Sequence, residues 1–334
     1  MTIELVQMKK KRTGSSISSS SSDEDVSTLV PLKKLAPGKL YNVLEHMKLS
    51  CEQLQQNGYP FWDPSAKQAV IPLTVNNQRD FVAGNDLFRK CARCRKGFSL
   101  NADGTMAPGR CVYHHRPKWD PVQRRPLLTC CNKPGPSSGC IEEEHHVFNT
   151  AWEDTLWEFM VTPSARGETD FRSKKVYGLD CELIHTLNGL EVARVSLVNM
   201  KGKVVLDTFV LPTYEVISYN STFSGVTERD MENAISLKAC RLQLFQYINS
   251  ETLLVGHSLE SDLKALRLVH HNVIDTSVLF SIRKPDVTIK LSLQTLAKEK
   301  LGKTIQNAKC GHSSIEDSIT CLELLELRPF VAVN

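Results

Sequence analysis

Two carboxylates lie two residues apart in an apolar, β-branched segment of this chain. Asp180 and Glu182 belong to the run Val176–Ile184, which has the composition of a β-strand. Because side chains alternate between the faces of a strand, both carboxylates project from one face. Two neighbouring anions on an apolar strand repel each other and lose hydration, a cost that a bound cation removes. For this pair alone the simpler interpretation, an acid at a strand end that reaches water, stays open.

A third carboxylate and a histidine–aspartate pair follow farther along the chain. Asp262 falls within the apolar stripe of a helix predicted over residues 259–270, where a carboxylate needs either a basic partner or a metal ion. A Ser-x-x-Glu capping box at residues 313–316 predicts the start of the last helix. This start places His312 just before the helix and Asp317 about one turn inside it.

Four carboxylates and one histidine form a set that can hold two divalent cations and deprotonate a water molecule. Carboxylate oxygens suit Mg²⁺ or Mn²⁺ better than zinc. Two such ions about 3.5–4 Å apart stabilise the attacking and leaving oxygens of an in-line displacement at phosphorus. A neutral imidazole is a competent general base near pH 7. The residue types therefore indicate metal-dependent phosphodiester hydrolysis, and they do not distinguish RNA from DNA.

The elements that must position these residues alternate in type along the C-terminal half of the chain. Three strand-like runs separated by two short polar breaks predict an antiparallel meander, which is followed by helices and two further strands. This order predicts an α/β fold, a mixed sheet with helices packed on it. The strands are predicted over Val176–Ile184, Leu190–Asn199, Val204–Leu211, Thr252–Gly256 and Val273–Phe280, and the helices over residues 236–249, 259–270, 291–301 and 314–327.

Six short motifs together resemble the DEDDh exonucleases, and more closely the RNA exonuclease 1 homolog branch that includes GOR-antigen-like proteins. The similarity covers residues 172–328 nearly continuously, in the order and spacing of that family. The motifs are Tyr177-Gly-Leu-Asp-Cys-Glu, Ala193-Arg-Val, Phe223-Ser-Gly-Val-Thr, Gly256-His-Ser-Leu-Glu-Ser-Asp, Val273-Ile-Asp-Thr-Ser, and Gly311-His312 with Asp317.

The resemblance implies an RNase H-like fold and an exonuclease that removes nucleotides from RNA in the 3′→5′ direction, releasing nucleoside 5′-monophosphates. An RNA- or protein-binding adaptor with a vestigial nuclease domain is the alternative, which the intact five-residue set disfavours. A DNA 3′→5′ exonuclease would use the same chemistry. By matching motifs, the Mg²⁺ or Mn²⁺ ligands are Asp180, Glu182, Asp262 and Asp317, the general base is His312, and candidate substrate contacts are Leu183, Phe223 and His257.

Eight cysteine and histidine residues between positions 91 and 146 have the spacing of structural zinc ligands. The first four form a CxxC…CxxH pattern typical of one tetrahedral zinc site, and the second four suffice for another. The spacing also allows the two sets to interleave, or some thiols to be unligated. The family resemblance favours His146 over His145. In chain order the candidate ligands are Cys91, Cys94, Cys111 and His114, then Cys130, Cys131, Cys140 and His146.

Charge is unevenly distributed along the 334 residues. Residues 86–135 carry 11 Lys and Arg against 3 Asp and Glu, a net charge of +8, whereas residues 176–334 carry 16 against 18. The basic region favours contact with RNA, whose single-stranded 3′ end is the expected partner, although solvated basic side chains are the simpler interpretation. No apolar run approaches the ~20 residues of a membrane helix, so no membrane partner is expected.

The N-terminal region is polar and of low complexity, with seven serines between Ser15 and Ser22 that are interrupted only at Ile17. Such a segment cannot bury enough apolar surface to fold, so we predict disorder. The basic run Lys9–Arg12 has the composition of a nuclear import signal, which predicts a nuclear protein with the nucleolus as a candidate site. The expected organisation is a tail over 1–35, a family-specific N-terminal region over 36–85, a basic zinc-binding module over 86–150 and a DEDDh exonuclease domain over 172–330.

Overall fold

A computed structural model describes most of the chain between Leu32 and Leu327. The described residues are 32–327 without 73, 75–86, 104, 108, 116–117, 121–123, 129, 132, 135–137, 150–152, 286 and 307–310. The predicted import signal Lys9–Arg12 and the serine run therefore lie outside the described residues.

The N-terminal segment forms two helices and a hairpin. Its elements are a 3-10 turn Leu32–Lys34, helices α1 Pro37–Glu45 and α2 Cys51–Gln56, and strands β1 Phe61–Asp63 and β2 Gln68–Val70. Helix α2 begins at Ser50, whose hydroxyl accepts the N–H of Gln53 at 3.2 Å. Leu32 is 1% exposed and packs with Leu40 and Leu44 of α1. Leu32 therefore belongs to the folded core, although it falls within the tail predicted over residues 1–35.

In its described residues, the Cys/His-rich region contains seven short strands and few buried apolar side chains. Strands β3 and β4 form a hairpin, β5 pairs with β9, and β6, β7 and β8 form a small antiparallel sheet. The strands are β3 Phe88–Lys90, β4 Gly97–Ser99, β5 Cys111–Tyr113, β6 Lys118–Asp120, β7 Arg125–Leu128, β8 Lys133–Pro134 and β9 Ile141–Glu143. We refer to residues 87–149 as the Cys/His module.

The remainder of the chain forms the large domain, which also contains 3-10 helices at Glu153–Glu158 and Glu228–Asn233. Its strands are β10 Met160–Val161, β11 Val176–Thr186, β12 Gly189–Asn199, β13 Val204–Leu211, β14 Val216–Ser218, β15 Ile235–Ser236, β16 Leu253–Gly256, β17 Leu268–Val269, β18 Val273–Asp275, β19 Ile282–Lys284 and β20 Val287–Ile289. Its helices are α3 Ser221–Ser224, α4 Leu237–Leu244, α5 Leu259–Ala265, α6 Thr276–Leu279, α7 Leu293–Leu296, continued by a π-helical turn Ala297–Leu301, and α8 Ser314–Leu325.

The central sheet has the strand order β15-β13-β12-β11-β16-β18, and β14 adds to one end of β11. Strands β11, β12 and β13 form the predicted antiparallel meander, while β16 and β18 run parallel to β11. The prediction of a mixed α/β fold is therefore confirmed. The carboxylate-bearing strand β11 lies near the middle of this sheet.

Helices cover both faces of the sheet. On one face Leu179 and Cys181 of β11 pack with residues of α4 and α5, such as Leu244 and Leu263. On the other face Val176 packs with α7 and α8. Side chains at odd-numbered positions of β11 thus point towards α5, and those at even-numbered positions point towards α8.

The N-terminal segment is built into this domain. The backbone N–H of Leu49 donates to the carbonyl of Val273 at 2.9 Å, and Tyr59 is completely buried in the α5-side core. The family-specific N-terminal region predicted over residues 36–85 therefore contributes core residues to the sheet domain.

Three sequence-based boundaries need correction. The helix predicted over residues 259–270 ends at Ala265, and Leu268–Val269 form strand β17. The strand predicted over Val273–Phe280 ends at Asp275, because the Asp275 carboxylate accepts the N–H of Ser277 and caps helix α6. The helix predicted over residues 236–249 ends as a regular α-helix at Leu244, and tighter turns carry the chain to Ile248.

Candidate active site

The alternation predicted for β11 places its two carboxylates on the α8 side of the sheet. Asp180 is half-buried and Glu182 is 5% exposed. The register between β11 and β12 shifts between Glu182 and Leu183, which is a bulge next to the second carboxylate. Bulges often re-aim a side chain at a functional site.

The side chain of Asp262 contacts β11 just beyond the point where β11 stops pairing with β16. The ladder between β11 and β16 ends at the pair of Gly178 and Val255. Beyond that point the Asp262 carboxylate on α5 accepts the backbone N–H of Cys181 at 2.9 Å. Asp262 is 6% exposed within the apolar stripe of α5, as predicted, and the hydrogen bond holds it against the strand of Asp180 and Glu182.

Helix α8 brings the fourth carboxylate to the same face. Ser313 caps the helix as predicted, by accepting the N–H of Glu316 at 3.4 Å. The next residue, Ser314, donates its backbone N–H to Glu182. Asp317 follows one turn into the helix, 4% exposed, and accepts a hydrogen bond from the Gln306 amide at 2.8 Å.

A close approach of backbone atoms fixes α8 against β11. A side chain at Gly178 would bring its Cβ within 2.8 Å of the carbonyl oxygen of Ser318. Only glycine permits this distance, which sets Asp317 of α8 beside Asp180 and Glu182 of β11.

Burial raises the pKa of all four carboxyl groups, and repulsion from other members of the group raises the pKa further at Asp180 and Glu182. Burial raises the pKa of Asp180 well above its ordinary value, and the charges of Asp262, Asp317 and Glu182 raise it further. The pKa of Glu182 rises to about 8, by burial and the nearby Asp317, although Arg194 opposes the change. Burial raises the pKa of Asp317 to about 6 and that of Asp262 well above its ordinary value.

The donors fit divalent cations with oxygen preference. Among the described residues, Glu182 Oε1 and Asp317 Oδ1 are buried oxygens without a hydrogen-bond partner. Such orphaned anionic oxygens are costly unless a cation or ordered water satisfies them. No three of the four carboxylates have ligand oxygens that all lie within 4.8 Å of one another in this structure.

His312 lies at the edge of this carboxylate group. Its Nδ1 is 4.0 Å from Asp317 Oδ2, and its side chain is 32% exposed. Its backbone N–H donates to the carbonyl oxygen of Phe223 at 2.7 Å. The preceding Gly311 has φ +92°, and an added Cβ would clash with the backbone of Gly225. A glycine is therefore required to bring His312 against the turn that contains Phe223.

The three candidate substrate contacts differ in position. Phe223 is 39% exposed, and its ring centroid lies 6.1 Å from that of His312, edge to face. Leu183 is partly buried and packs against the α5-side core. His257 lies at the end of β16, where Thr276 contacts its Nδ1 at 2.9 Å and its ring also hydrogen-bonds the backbone of Leu291. Phe223 therefore lies beside His312, whereas the His257 ring contacts the side chain of Thr276 and the backbone of Leu291.

Two buried residues that hold the start of helix α5, and thereby Asp262, were given no role in the sequence analysis. They are Asp275 and Tyr59. Asp275 is completely buried and accepts N–H bonds from Ser258 at 2.9 Å and Ser277 at 2.8 Å. Its other oxygen accepts the hydroxyl of Tyr59 at 2.7 Å. Ser258 precedes α5 with φ +63°, so Asp275 pins the strained turn that starts the helix of Asp262. The motif at Val273 contained Asp275, but nothing in the sequence pointed to Tyr59.

The structure brings the eight zinc-ligand candidates together in two sets, but not in chain order. In each set the ligand atoms all lie within 4.8 Å of one another. The structure places His146, and not His114, with Cys91, Cys94 and Cys111, which is the interleaved arrangement that the spacing left open. The sets are Cys91, Cys94, Cys111 and His146, and His114, Cys130, Cys131 and Cys140.

Strand pairing explains why the sets interleave. Cys111 begins strand β5, and His114 follows its end, so an extended backbone separates the two by about 10 Å and turns them to opposite faces. Strand β9 runs antiparallel to β5, with Tyr113 opposite Ile141. This register sets Cys140, whose N–H donates to Tyr113 at 3.0 Å, at the His114 end of the ladder. The opposite direction of β9 carries the chain to His146 at the Cys111 end.

The distances within each set fit a zinc ion. Cys91 and Cys111 sulfurs are 3.6 Å apart, and Cys94 Sγ lies 3.3 Å from His146 Nδ1. In the other set, His114 Nδ1 lies 3.4 Å and 3.7 Å from two cysteine sulfurs. Tetrahedral bonds of the usual length place two sulfurs about 3.8 Å apart and a sulfur and a nitrogen about 3.6 Å apart. Both sets are therefore suitable for closed structural zinc sites.

No helix in the described part of the chain is long and apolar enough to cross a membrane.

Comparison with known proteins finds related sequences along most of the chain. Exonuclease GOR of Pan troglodytes is 36% identical over 90% of this chain and 44% of its own length, and the human RNA exonuclease 1 homolog is 34% identical over 88% and 24%. RNA exonuclease 3 of Candida albicans is 32% identical over 88% of this chain and 69% of its own length. The chain belongs to this family of RNA exonucleases. The resemblance to the RNA exonuclease 1 homolog and GOR branch is thereby confirmed.

The RNA exonuclease relatives differ in length from this chain. It spans less than half of exonuclease GOR and about a quarter of the RNA exonuclease 1 homolog. A family model described as ElonginA binding-protein 1 matches residues 3–76. Among solved structures, the Neurospora crassa Pan2 catalytic unit, with protease and nuclease domains, is 20% identical at a TM-score of 0.43, over 84% of this chain and 53% of that chain.

Proposed function

We propose that this chain is a divalent-metal-dependent exoribonuclease of the DEDDh type, which removes nucleotides from RNA in the 3′→5′ direction. The observation that carries the proposal is the grouping of three buried carboxylates and the half-buried Asp180 beside His312, with unpaired oxygens on Glu182 and Asp317, in a member of the RNA exonuclease family. The products are nucleoside 5′-monophosphates and an RNA shortened at its 3′ end. The antiparallel meander extended by two parallel strands supports an RNase H-like fold.

The residues have separate roles in this proposal. Asp180, Glu182, Asp262 and Asp317 hold Mg²⁺ or Mn²⁺, which would neutralise the charge that develops on the phosphate and on the leaving 3′-oxygen. His312 accepts the proton of the attacking water, and the Asp317 carboxylate beside its Nδ1 stabilises the positive charge that the ring acquires. The new bond joins the water oxygen to phosphorus, the bond from phosphorus to the 3′-oxygen breaks, and that oxygen takes up a proton.

The Cys/His module has a supporting role. We propose that its two ligand sets each bind a structural zinc ion, which would stabilise a region that has few apolar residues. The net charge of +8 over residues 86–135 favours contact of this region with RNA phosphates. The single-stranded 3′ end of RNA is the proposed substrate.

The test is incubation of a 3′-labelled oligoribonucleotide with Mg²⁺ or Mn²⁺ and either the wild type or Asp180→Ala. We expect labelled nucleoside 5′-monophosphate from the wild type and none from the variant. Glu299→Gln, which removes an exposed acid far along the chain, serves as the matched control and should equal the wild type. Equal product from the wild type and Asp180→Ala would eliminate the proposed site.

The same experiment separates the alternative functions. A matched DNA strand should be degraded more slowly, since the 2′-hydroxyl allows a site to tell RNA from DNA. Faster degradation of DNA would favour a DNA exonuclease. Tight RNA binding with no hydrolysis under either metal would favour an adaptor with a vestigial nuclease domain.

Nuclear residence, with the nucleolus as a candidate compartment, is proposed from the basic run Lys9–Arg12 and from the family resemblance. Replacement of these four residues by alanine in a tagged full chain should move the signal from the nucleus to the cytoplasm. An exclusively cytoplasmic signal from the unmodified chain would refute the proposal.

A further inference from the structure

The Cys/His module contacts the sheet domain close to strand β11. Arg93, between the two cysteines of the CxxC loop, has a side chain only 9% exposed and donates to Ser218 Oγ at 2.7 Å. Ser218 belongs to β14, which pairs with β11 at His185. His185 Nδ1 lies 3.3 Å from the carbonyl oxygen of Phe148 at the end of the module. The module is therefore fixed to the strand that carries Asp180 and Glu182.

Docked in this way, the module brings an aromatic residue to the active site. His115 directly follows the ligand candidate His114, and its ring centroid lies 4.9 Å from that of Phe223, in an edge-to-face arrangement at 68°. Phe223 in turn lies 6.1 Å from His312 and accepts its backbone N–H. Tyr113 of strand β5 continues the row at 6.0 Å from His115. Four rings thus run from a strand of the module to the proposed general base.

The rings nearest the active site remain accessible. Phe223 is 39% exposed and His115 is half-buried, so neither ring is enclosed by core residues. Aromatic side chains beside a single-stranded RNA channel stack on bases, and they do so with little sequence preference because every base has a π face. In the proposed reaction His312 acts at the scissile phosphate, so a row of rings that ends at His312 lies next to the expected position of the 3′-terminal nucleotides.

We propose that His115 is a substrate-positioning residue, which forms with Phe223 an aromatic wall that stacks against a base at the RNA 3′ end. The proposal rests on the proposed exoribonuclease function for the identity of the substrate. It gives the Cys/His module a direct role at the reaction centre, because the ligand set that contains His114 fixes the backbone of its neighbour His115.

RNA binding by the full chain tests this role. Fluorescence anisotropy of a 5′-labelled oligoribonucleotide is measured with Ca²⁺ in place of Mg²⁺ to slow turnover. His115→Ala is expected to raise Kd about tenfold, and His115→Phe to stay within about threefold of the wild type because it keeps an aromatic ring. The matched control is His145→Ala, in the same module but outside both ligand sets, which should bind as the wild type. Zinc content should be equal in all four proteins.

A double-deletion cycle, which combines abasic RNA with His115→Ala, distinguishes loss of base stacking from a merely structural effect of the substitution. The base is removed from the last or from the second-last nucleotide, and each RNA is measured with the wild type and with His115→Ala. At one of these two positions the base and ring deletions should be non-additive, because each removes the partner of the other. Additive losses at both positions, or a Kd for His115→Ala within twofold of the wild type, would overturn the proposal.

Turnover with Mg²⁺ distinguishes failure of this inference from failure of the proposed function. If the wild type hydrolyses RNA but the losses from base deletion and from His115→Ala are additive, only the proposed role of His115 is rejected. If the losses in binding are non-additive but no RNA is hydrolysed, the exoribonuclease function is rejected and the stacking role of His115 is supported. Where both hold, His115→Ala should raise KM about tenfold and leave kcat within about threefold, because His312 and the carboxylates are unchanged.

Discussion

Glu182→Gln is expected to stabilise the metal-free protein at pH 8 and to remove the stabilisation that added metal provides. Glu182 is 5% exposed, and burial raises its pKa from 4.5 to about 8. An acid with a higher pKa in the folded state takes up a proton on folding, so its cost to stability grows as the pH rises from 4.5 to 8. At about 1.4 kcal/mol for each pKa unit, the cost approaches 5 kcal/mol at pH 8 as an upper bound.

About half of this cost, roughly 2 kcal/mol, arises between pH 6 and pH 8. Asp317 adds little in that window, because its pKa of about 6 means that it is largely ionised above pH 6. A loss of about 2 kcal/mol corresponds to a fall in Tm of roughly 4–8 °C for a domain of this size. A bound divalent cation favours the ionised carboxylates and should reverse the fall.

The assay is thermal and urea unfolding at pH 6 and pH 8 in metal-depleted buffer, repeated with Mn²⁺, with zinc content checked throughout. The wild type should be less stable at pH 8 than at pH 6 without Mn²⁺, and Mn²⁺ should restore it. Glu182→Gln should depend less on pH and respond weakly to Mn²⁺. The exposed-acid variant Glu299→Gln should follow the wild type. A metal-free Glu182→Gln no more stable than the wild type at pH 8 would refute the reasoning.

Three further predictions follow from particular contacts. Gly311→Ala should lower kcat on the order of 100-fold, because the clash at this φ +92° position displaces His312, the proposed general base. Steady-state kinetics with unchanged kcat would contradict this. The double variant Cys94→Ser with His146→Ala should lose one zinc ion of two by elemental analysis, since both residues belong to one set; loss of both ions would support pairing in chain order. Tyr59→Phe should lower the free energy of unfolding in urea by about 1.5–3 kcal/mol, because it removes a buried hydrogen bond to a carboxylate. A change below about 0.5 kcal/mol would contradict the last prediction.

The candidate active site was largely predictable from the sequence, because local rules place most of its residues. Strand periodicity places Asp180 and Glu182 on one face, and the helical stripe with its cap places Asp262 and Asp317. To predict that these elements converge, the family resemblance was needed, since periodicity alone does not give the order of the strands in the sheet. The bulge after Glu182 had no local signal, because it follows from the pairing of two strands.

Long-range features escaped prediction for the same reason. The pairing of zinc ligands depends on the register of β5 with β9, and spacing alone does not reveal that register. The contact of Tyr59 with Asp275 spans 216 residues of sequence, and the packing of His115 on Phe223 joins the Cys/His module to the active site. The early end of β18 was in principle readable, since an aspartate followed by Thr-Ser is a good helix cap.

Hydrolysis of an oligoribonucleotide in H₂¹⁸O tests the central claim most directly. If the buried carboxylates and His312 direct water to phosphorus at the RNA 3′ end, each nucleoside 5′-monophosphate released carries one ¹⁸O in its phosphate by mass spectrometry. Asp180→Ala should give no such product. Unlabelled monophosphates, products with 3′- or cyclic phosphates, or the same labelled product from Asp180→Ala would contradict the account.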